Sequence, residues 1–225
     1  MGTTQENCLC CKYPSPIKVE KLMPLLKLYT DKKAAKILGE GFTFGFKLGF
    51  QGDRCARDSP NLKSVLADPI MAKTKLMKEV NLKRLAGPFY QRPIANLIVS
   101  PIGLIPKSEP GKVRLIQHLS FPEGNSINDG IDPEMCTVKY ASFDTAVQIV
   151  VSAGKGALMA KADIESAFRL LPVHPDDFQL LGMKVGDEFF VDKALPMGAS
   201  CSPALFEKFS TFLEWVVKRK QQQRE

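Results

Sequence analysis

The sequence predicts an α+β fold in which short strands form a sheet that packs against helices. Three observations indicate this class. Apolar residues recur at helical spacing in five separate stretches, short apolar runs lie between glycine and proline turns, and no apolar run is long enough to span a bilayer. The 225 residues are 44% hydrophobic and 24% charged, which is ordinary for a globular protein.

The first fifth of the chain contains two predicted helices and one extended segment. Residues 1–15 show no periodicity and are predicted to be a disordered tail. Apolar residues in 17–28 are typical of a short helix. Asp31 is a candidate N-cap of a second helix, which we expect to end at the glycines within 39–41. Residues 41–50 then alternate aromatic with small or polar side chains, which predicts a half-buried extended segment.

The middle of the chain is predicted to be one helix, two strands and a long connection. Asp68-Pro69 is a typical helix start, and Gly87-Pro88 is expected to end that helix. Residues 97–106 and 113–119 are typical of strands, with a Pro-Gly turn between them. Residues 120–140 are rich in Gly, Asn, Asp and Pro, which predicts a connection without regular structure.

The remainder of the chain alternates short helices with short strands. A hairpin turn is expected at Gly186-Asp187, and the last helix has a wide apolar face. The predicted elements are a helix over 143–151, a strand over 157–163, a helical turn over 166–170, strands near 180–185 and 188–191, and a helix over 203–217.

Charge is distributed unevenly along the chain. Residues 1–125 contain 20 Lys and Arg against 10 Asp and Glu, whereas residues 126–225 contain 11 against 14. A basic half joined to a mildly acidic half fits a polyanion-binding surface beside a carboxylate site. A solvated basic face is the alternative.

The N-terminus has neither the basic flank nor the apolar stretch of a secretory signal, so we expect an intracellular protein, cytoplasmic or nuclear. Cys8, Cys10 and Cys11 form a cluster that suggests either zinc or free thiols in a tail. No second cysteine pair or nearby histidine completes a tetrahedral zinc set, which favours free thiols. We expect the other cysteines to be reduced.

Three features could take part in chemistry. Asp163 is the last residue of a predicted strand, where a carboxylate can bind Mg²⁺ but is more often a turn or cap residue. Lys107 and Arg114 flank a predicted turn, where they either converge on phosphate oxygens or lie exposed. The segment 195–198, Leu-Pro-Met-Gly, precedes a helix, and its glycine permits close approach of the backbone to a ligand. Taken alone, that segment is also a good N-cap.

Several motifs, in the same order, resemble the reverse transcriptase of DIRS-type retrotransposons. The resemblance runs from about Gly41 to Trp215 and extends weakly upstream to Pro16. Multiple independent motifs in order make it specific. The resembling segments are 41–50, 105–120, 122–130, 140–144, 161–169, 195–198 and 206–212.

The resemblance implies a right-hand polymerase, of which this chain contains the fingers and a partial palm. Residues 16–90 would lead into the fingers and 91–139 would form them. Residues 140–217 would form the partial palm, an antiparallel sheet packed on helices, and 218–225 a frayed basic tail. Implied partners are an RNA or DNA template–primer and deoxynucleoside triphosphates, with no membrane.

The resemblance also implies roles for individual residues. Asp163 would be the first metal-binding, catalytic aspartate in a phosphoryl transfer that uses two Mg²⁺ ions. Phe168 would pack under the nucleotide sugar and select deoxynucleotides. Residues implied to bind the incoming nucleotide are Lys107, Arg114, Phe168, Met197 and Gly198. Many relatives have Gln or Phe where this chain has Met197, so a side-chain hydrogen bond is not expected there.

The family's second pair of metal ligands, an aromatic-x-Asp-Asp segment, does not occur in these 225 residues. The adjacent aspartates Asp176-Asp177 follow no aromatic hairpin tip and are not expected to replace it. We therefore expect a polymerase truncated before its third palm motif and inactive alone. The alternatives are a retained nucleic-acid-binding module and, less favoured, an active polymerase completed by another chain. Truncation also predicts that part of the apolar face of helix 203–217 is exposed.

Overall fold

A computed structural model describes Leu9, Tyr13 and residues 15–138, 140–160 and 163–222. These residues form an α+β fold, which confirms the predicted class. The α-helices are α1 (Val19–Leu28), α2 (Lys32–Phe44), α3 (Lys63–Ala67), α4 (Pro69–Asn81), α5 (Phe143–Ala153) and α6 (Ser202–Gln222). The strands are β1 (Arg57–Asp58), β2 (Leu85–Phe89), β3 (Ile98–Val99), β4 (Ile102–Pro106), β5 (Val113–Gln117), β6 (Gly182–Val185) and β7 (Glu188–Asp192).

Five of the strands form one sheet in the order β1-β3-β6-β7-β2. The sheet is mixed, because β3 pairs in parallel with β1 and β6, whereas β7 is antiparallel to β6 and β2. The predicted antiparallel palm pairing holds for β6 and β7, but the sheet as a whole is mixed because β6 also pairs in parallel with β3. The sheet also joins strands from the predicted fingers to strands from the predicted palm.

The predicted strand 97–106 is divided between two sheets. Its first part is β3 in the large sheet, and its second part is β4, which pairs with β5 in a separate hairpin. Pro101 lies at the break and has no N–H to donate, so the ladder does not continue through it.

Both faces of the large sheet are buried. On β7, Phe189 and Val191 belong to a core cluster with α1, α2 and α6, while Phe190 belongs to a second cluster with α4, β2 and β4. Alternate residues of a strand point to opposite faces, so burial on both sides explains the continuous apolar run Phe-Phe-Val.

Helix α2 begins as predicted but ends later. The Asp31 side chain accepts a hydrogen bond from the Ala34 N–H at 2.9 Å, which caps the helix. The helix then continues to Phe44, so the prediction that 41–44 are extended was wrong. A Cβ at Gly41 would lie 2.3 Å from the Phe46 ring, so the glycine admits this ring instead of ending the helix.

The Gly87-Pro88 pair lies in a strand. Helix α4 starts at Pro69 with an Asp68 cap, as predicted, but it ends at Asn81. Gly87-Pro88 then forms part of β2, whose register against β7 shifts between Ala86 and Phe89. Gly87 has φ +128°, and a bulge tolerates a proline that lacks a ladder donor.

Helix α6 is packed more completely than predicted. Phe212 is 1% exposed, with its ring 5.2 Å from the Tyr29 ring, and Phe209 lies 5.0 Å from the Phe42 ring. The α1–α2 region therefore covers the apolar face of α6. The expectation of an exposed face on this helix was wrong for these residues, although Val217 is exposed. The helix also continues to Gln222, through most of the predicted frayed tail.

Exposed apolar surface lies instead on residues 140–160. Helix α5 matches the predicted helix, but Phe143 and Val151 are 82% and 72% exposed. Neither residues 157–160 nor Asp163 are in a strand, which contradicts the predicted strand 157–163. In the part of the chain that the structure describes, no neighbouring strand pairs with this segment, and a strand requires such a partner. Lys161 and Ala162 lie outside the described residues.

The end of the predicted N-terminal tail contacts the fold. Tyr13 is buried, and the Ser15 hydroxyl donates to the Leu170 carbonyl at 2.5 Å. Most of residues 1–14, including Cys8, Cys10 and Cys11, lie outside the described residues. Among the described helices, none is long and apolar enough to cross a membrane.

The three described cysteines are free thiols, in agreement with the prediction. Burial raises the pKa of the Cys201 thiol to about 12, so this group stays protonated at neutral pH. Cys201 is thus a small apolar core residue at the start of α6.

Candidate functional site

The β4–β5 hairpin presents an exposed cationic face. Ile105 pairs with Arg114, and the Lys107 N–H donates to the Lys112 carbonyl at 2.8 Å. Directly paired residues and their second neighbours share a face, so Lys107, Lys112 and Arg114 point to the same side. All three cations are exposed, and Lys112 contacts the Glu109 carboxylate. The opposite face packs into the second core cluster through Leu104, Val113 and Leu115.

The Leu-Pro-Met-Gly segment lies against the end of β5. A Cβ at Gly198 would be 2.4 Å from the Gln117 carbonyl oxygen, so only glycine allows this approach. The Ser202 hydroxyl donates to the Pro196 carbonyl at 2.5 Å where α6 begins. Met197 is 67% exposed beside this contact. The cationic hairpin and the Met197-Gly198 loop are therefore neighbours.

Asn128 joins a third motif to this loop. Its Nδ2 donates to the Gly198 carbonyl at 3.0 Å and to the Ser120 Oγ at 2.8 Å, and its Oδ1 accepts from the Ser200 N–H at 2.9 Å. The sequence motifs gave Asn128 no role. The signal that could have identified it was its place in a polar Gly- and Asn-rich motif. Its partners in the 195–200 loop, however, lie about 70 residues away in sequence.

The loop that carries Asn128 is itself ordered by local hydrogen bonds. The Ser126 N–H and hydroxyl donate to the Asp129 carboxylate at 2.9 and 2.7 Å. The hydrogen bond from the Ser126 backbone, and to a smaller extent the one from its side chain, lower the pKa of Asp129. The carboxylate therefore serves to hold the loop that presents Asn128.

The structure places Asp163 and Phe168 on a segment linked to the same loop. Asp163 is exposed. The ring of Phe168 is half-buried and lies 5.5 Å from the Phe206 ring of α6. The Leu195 N–H donates to the Leu171 carbonyl at 2.8 Å, which joins the two segments through the backbone.

The described residues do not fit a Mg²⁺ site at Asp163. No group of three or more His, Cys, Asp or Glu side chains that could hold a metal ion occurs in the described ranges. Mg²⁺ needs oxygen ligands in near-octahedral geometry, and one exposed carboxylate does not provide them. A metal at this position would need ligands from beyond the described residues.

The adjacent aspartates Asp176 and Asp177 have structural roles. Asp177 is 2% exposed, and its carboxylate accepts from the Leu48 N–H and from Arg54 Nη2, both at 2.8 Å. The Asp176 carboxylate is exposed, 3.6 Å from Lys47 Nζ. Asp177 is therefore engaged within the fold, and the expectation that the pair does not act as metal ligands stays a prediction.

No protein-family model and no curated protein matches the sequence. Solved structures of reverse transcriptases resemble the fold at low identity. Native prototype foamy virus protease-reverse transcriptase is 20% identical over 70% of this chain and 19% of its own, with a TM-score of 0.41. A foamy viral protease-reverse transcriptase bound to double-stranded DNA is 17% identical over 87% and 35%, with a TM-score of 0.45. The foamy viral enzyme bound to an RNA/DNA hybrid is 16% identical over 85% and 26%, with a TM-score of 0.43. The chain thus spans about a fifth to a third of the length of these three structures.

Proposed function

We propose that this chain is the fingers and first palm segments of a retroelement reverse transcriptase, of DIRS type, and that it binds template–primer nucleic acid. The observation that supports the proposal most is the meeting of three sequence motifs. The β4–β5 hairpin, the 120–130 loop and the 195–200 loop contact one another through Gly198, Gln117 and Asn128. Motifs that only shared an order along the chain would not have to converge in space.

Charge supports nucleic acid as the partner. Lys107, Lys112 and Arg114 lie exposed on one face of the hairpin, and the basic half of the chain contains them. Such a face neutralises phosphates and releases their counterions. In this proposal Lys107 and Arg114 also contact the triphosphate of a deoxynucleotide, Met197 and Gly198 lie beside its base, and Phe168 lies under its sugar.

We infer that the 225 residues do not extend a primer by themselves. Two-metal phosphoryl transfer needs several carboxylates around the reacting phosphate, whereas the described ranges contain no group of three or more side chains that could hold a metal ion, and Asp177 is engaged with Arg54. A retained nucleic-acid-binding module is the alternative function. It is favoured by this same lack of a carboxylate cluster among the described residues. The coding sequence after codon 225 separates the two functions, because an aromatic-x-Asp-Asp segment there favours the polymerase.

Binding to a fluorescent RNA/DNA hybrid tests the proposal. We expect the logarithm of the affinity to fall linearly with the logarithm of the salt concentration. Replacing both hairpin cations, Lys107→Gln with Arg114→Gln, should reduce the magnitude of that slope by about 1 for each phosphate that is no longer neutralised. Fluorescence anisotropy over a salt series measures both quantities.

A matched pair of substitutions on α2 controls for net charge. Lys33→Gln with Lys36→Gln also removes two positive charges, from exposed positions that lie far from the three motifs in sequence. We expect this control to leave the slope close to that of the wild type. An equal reduction in both double variants, or an affinity that does not depend on salt, would contradict the proposed interface.

A further inference from the structure

The Arg169 guanidinium is surrounded by four acceptors from two segments of the chain, residues 192–195 and α4. Its side chain is 13% exposed. Nη1 donates to Asp192 Oδ2 at 2.6 Å and to the Ala194 carbonyl at 2.9 Å. Nη1 also lies 3.5 Å from the Leu195 carbonyl. On the other edge of the fork, Nε and Nη2 donate to Glu79 Oε2 at 3.3 and 3.1 Å.

These contacts connect the elements that carry the candidate site. Arg169 directly follows Phe168, and Ala194 and Leu195 directly precede Pro-Met-Gly. Glu79 lies on α4, which packs against the opposite side of the sheet from α6. The guanidinium bonds both residues 192–195 and α4. It therefore holds the Phe168 segment and the Met197 loop in fixed positions relative to α4.

A second arginine extends the network towards Asp163. Arg84 Nη1 lies 3.7 Å from Glu79 Oε2 and 3.4 Å from the Ser166 Oγ. Ser166 has φ +55°, a left-handed conformation that a non-glycine residue keeps when its surroundings hold it. The turn between Asp163 and Phe168 is thus tied to the same carboxylate.

The chemistry of the Arg169 guanidinium suits a fixed connection between residues 192–195 and α4. Burial alone lowers the pKa of Arg169, but the carboxylates of Asp192 and Glu79 outweigh it and raise that pKa, so the cation persists. A planar guanidinium donates to several acceptors in a set geometry. A lysine ammonium keeps the charge but cannot reach both sides of this arrangement at once.

We propose that Arg169 is a positioning residue, which sets the spacing between the Phe168 segment and the Met197-Gly198 loop. This role rests on the proposed function, because it concerns the two walls of the proposed nucleotide site. The sequence offered no signal for it, since Asp192 is 23 residues away and Glu79 is 90 residues away.

Two variants separate positioning from stability. Arg169→Lys keeps a cation beside Asp192. Arg169→Met with Asp192→Leu removes the buried pair, and replacement of such pairs by apolar groups often preserves stability. In both variants we expect the amide hydrogens of Leu195 and Ser200 to exchange about tenfold faster, because the junction that holds their loop is removed. Hydrogen exchange, with the thermal midpoint recorded in parallel, measures this.

Arg54→Lys is the matched control. It alters another arginine that is paired with a buried aspartate, Asp177, but it leaves the Arg169 junction intact. We expect wild-type exchange at Leu195 and Ser200 in this variant. If Arg169→Lys exchanges like the wild type, or if the double variant restores both the thermal midpoint and slow exchange, the positioning role is overturned.

A nucleotide titration gives a readout that simple stabilisation does not affect. Binding of dGTP is followed by the methyl resonance of Met197 at a temperature where every variant is folded. We expect the Kd to rise about tenfold in both Arg169 variants and to stay unchanged in Arg54→Lys. An equal Kd in all variants contradicts the role. If the wild type itself does not respond to dGTP, the proposed nucleotide site fails, while the exchange rates still decide the role of Arg169.

Discussion

Replacing Phe212 with alanine is expected to lower the free energy of unfolding by about 3 to 5 kcal/mol. Phe212 is 1% exposed, and its ring contacts Tyr29 edge-on and stacks on Trp215 at 6.1 Å. Alanine leaves a cavity between α6 and the α1–α2 region that close packing cannot fill. Urea denaturation followed by the fluorescence of Trp215, the single tryptophan, measures the change.

Phe143→Ala controls for the chemistry of the Phe212 substitution. It makes the same replacement in a helix, but Phe143 is 82% exposed. Surface substitutions usually change stability by less than about 0.5 kcal/mol. If the two variants were destabilised equally, α6 would not be packed against α1 and α2 as described.

Asp177→Ala is expected to cost about 1 to 3 kcal/mol, because the Leu48 N–H loses its buried acceptor, whereas the Arg54 side chain is 34% exposed and keeps access to water. The Asp177 carboxylate is 3% exposed, and it accepts hydrogen bonds from Arg54 and from the Leu48 amide. Its removal would loosen the junction between residues 46–54 and the 3-10 helix Pro175–Leu180. The denaturation midpoint and slope together give the measurement.

The neighbouring aspartate provides the comparison. Asp176→Ala removes a carboxylate that is 67% exposed and 3.6 Å from Lys47, so it should cost less than about 1 kcal/mol. A similar small cost for Asp177→Ala would mean that this carboxylate is not the structural anchor proposed, and would reopen a functional role for the pair.

Local signals predicted the elements that depend on neighbouring residues. Asp31 and Asp68 cap their helices as their positions indicated, and the β6–β7 hairpin turns at Gly186, which has φ +57°. Glycine was a misleading signal for the end of a helix at positions where it allows close packing or a bulge instead. Gly41 admits the Phe46 ring inside a helix, and Gly87 permits a bulge in β2. Sequence alone does not distinguish these uses from a stop signal.

Elements that depend on distant partners were predicted less well. The apolar face of α6 was expected to need a strand, but Tyr29 and Phe42 cover it from the N-terminal region. Residues 157–160, Ala-Leu-Met-Ala, are a short apolar run that was predicted as a strand, yet they do not form one in the described chain. Propensity is a weak guide where pairing decides the structure.

In the candidate site, too, features set by neighbouring residues were predicted and features set by distant partners were missed. Lys107 and Arg114 were singled out from a turn between two strands, and the hairpin register places them on one face. Asn128 and Arg169 were missed, because their partners are 70 and up to 90 residues away in sequence. Such side chains are recognised from the hydrogen bonds they make, which appear only when the segments are assembled.

We propose that these residues bind template–primer without supplying the metal chemistry of a polymerase. One assay addresses both parts: a labelled DNA primer on an RNA template is incubated with the chain, Mg²⁺ and deoxynucleotides, then resolved on native and denaturing gels. We expect the primer to be retarded with the protein on the native gel and to keep its original length on the denaturing gel. Template-directed lengthening that Asp163→Ala abolishes, or a primer that is never retarded at low salt, would contradict the claim.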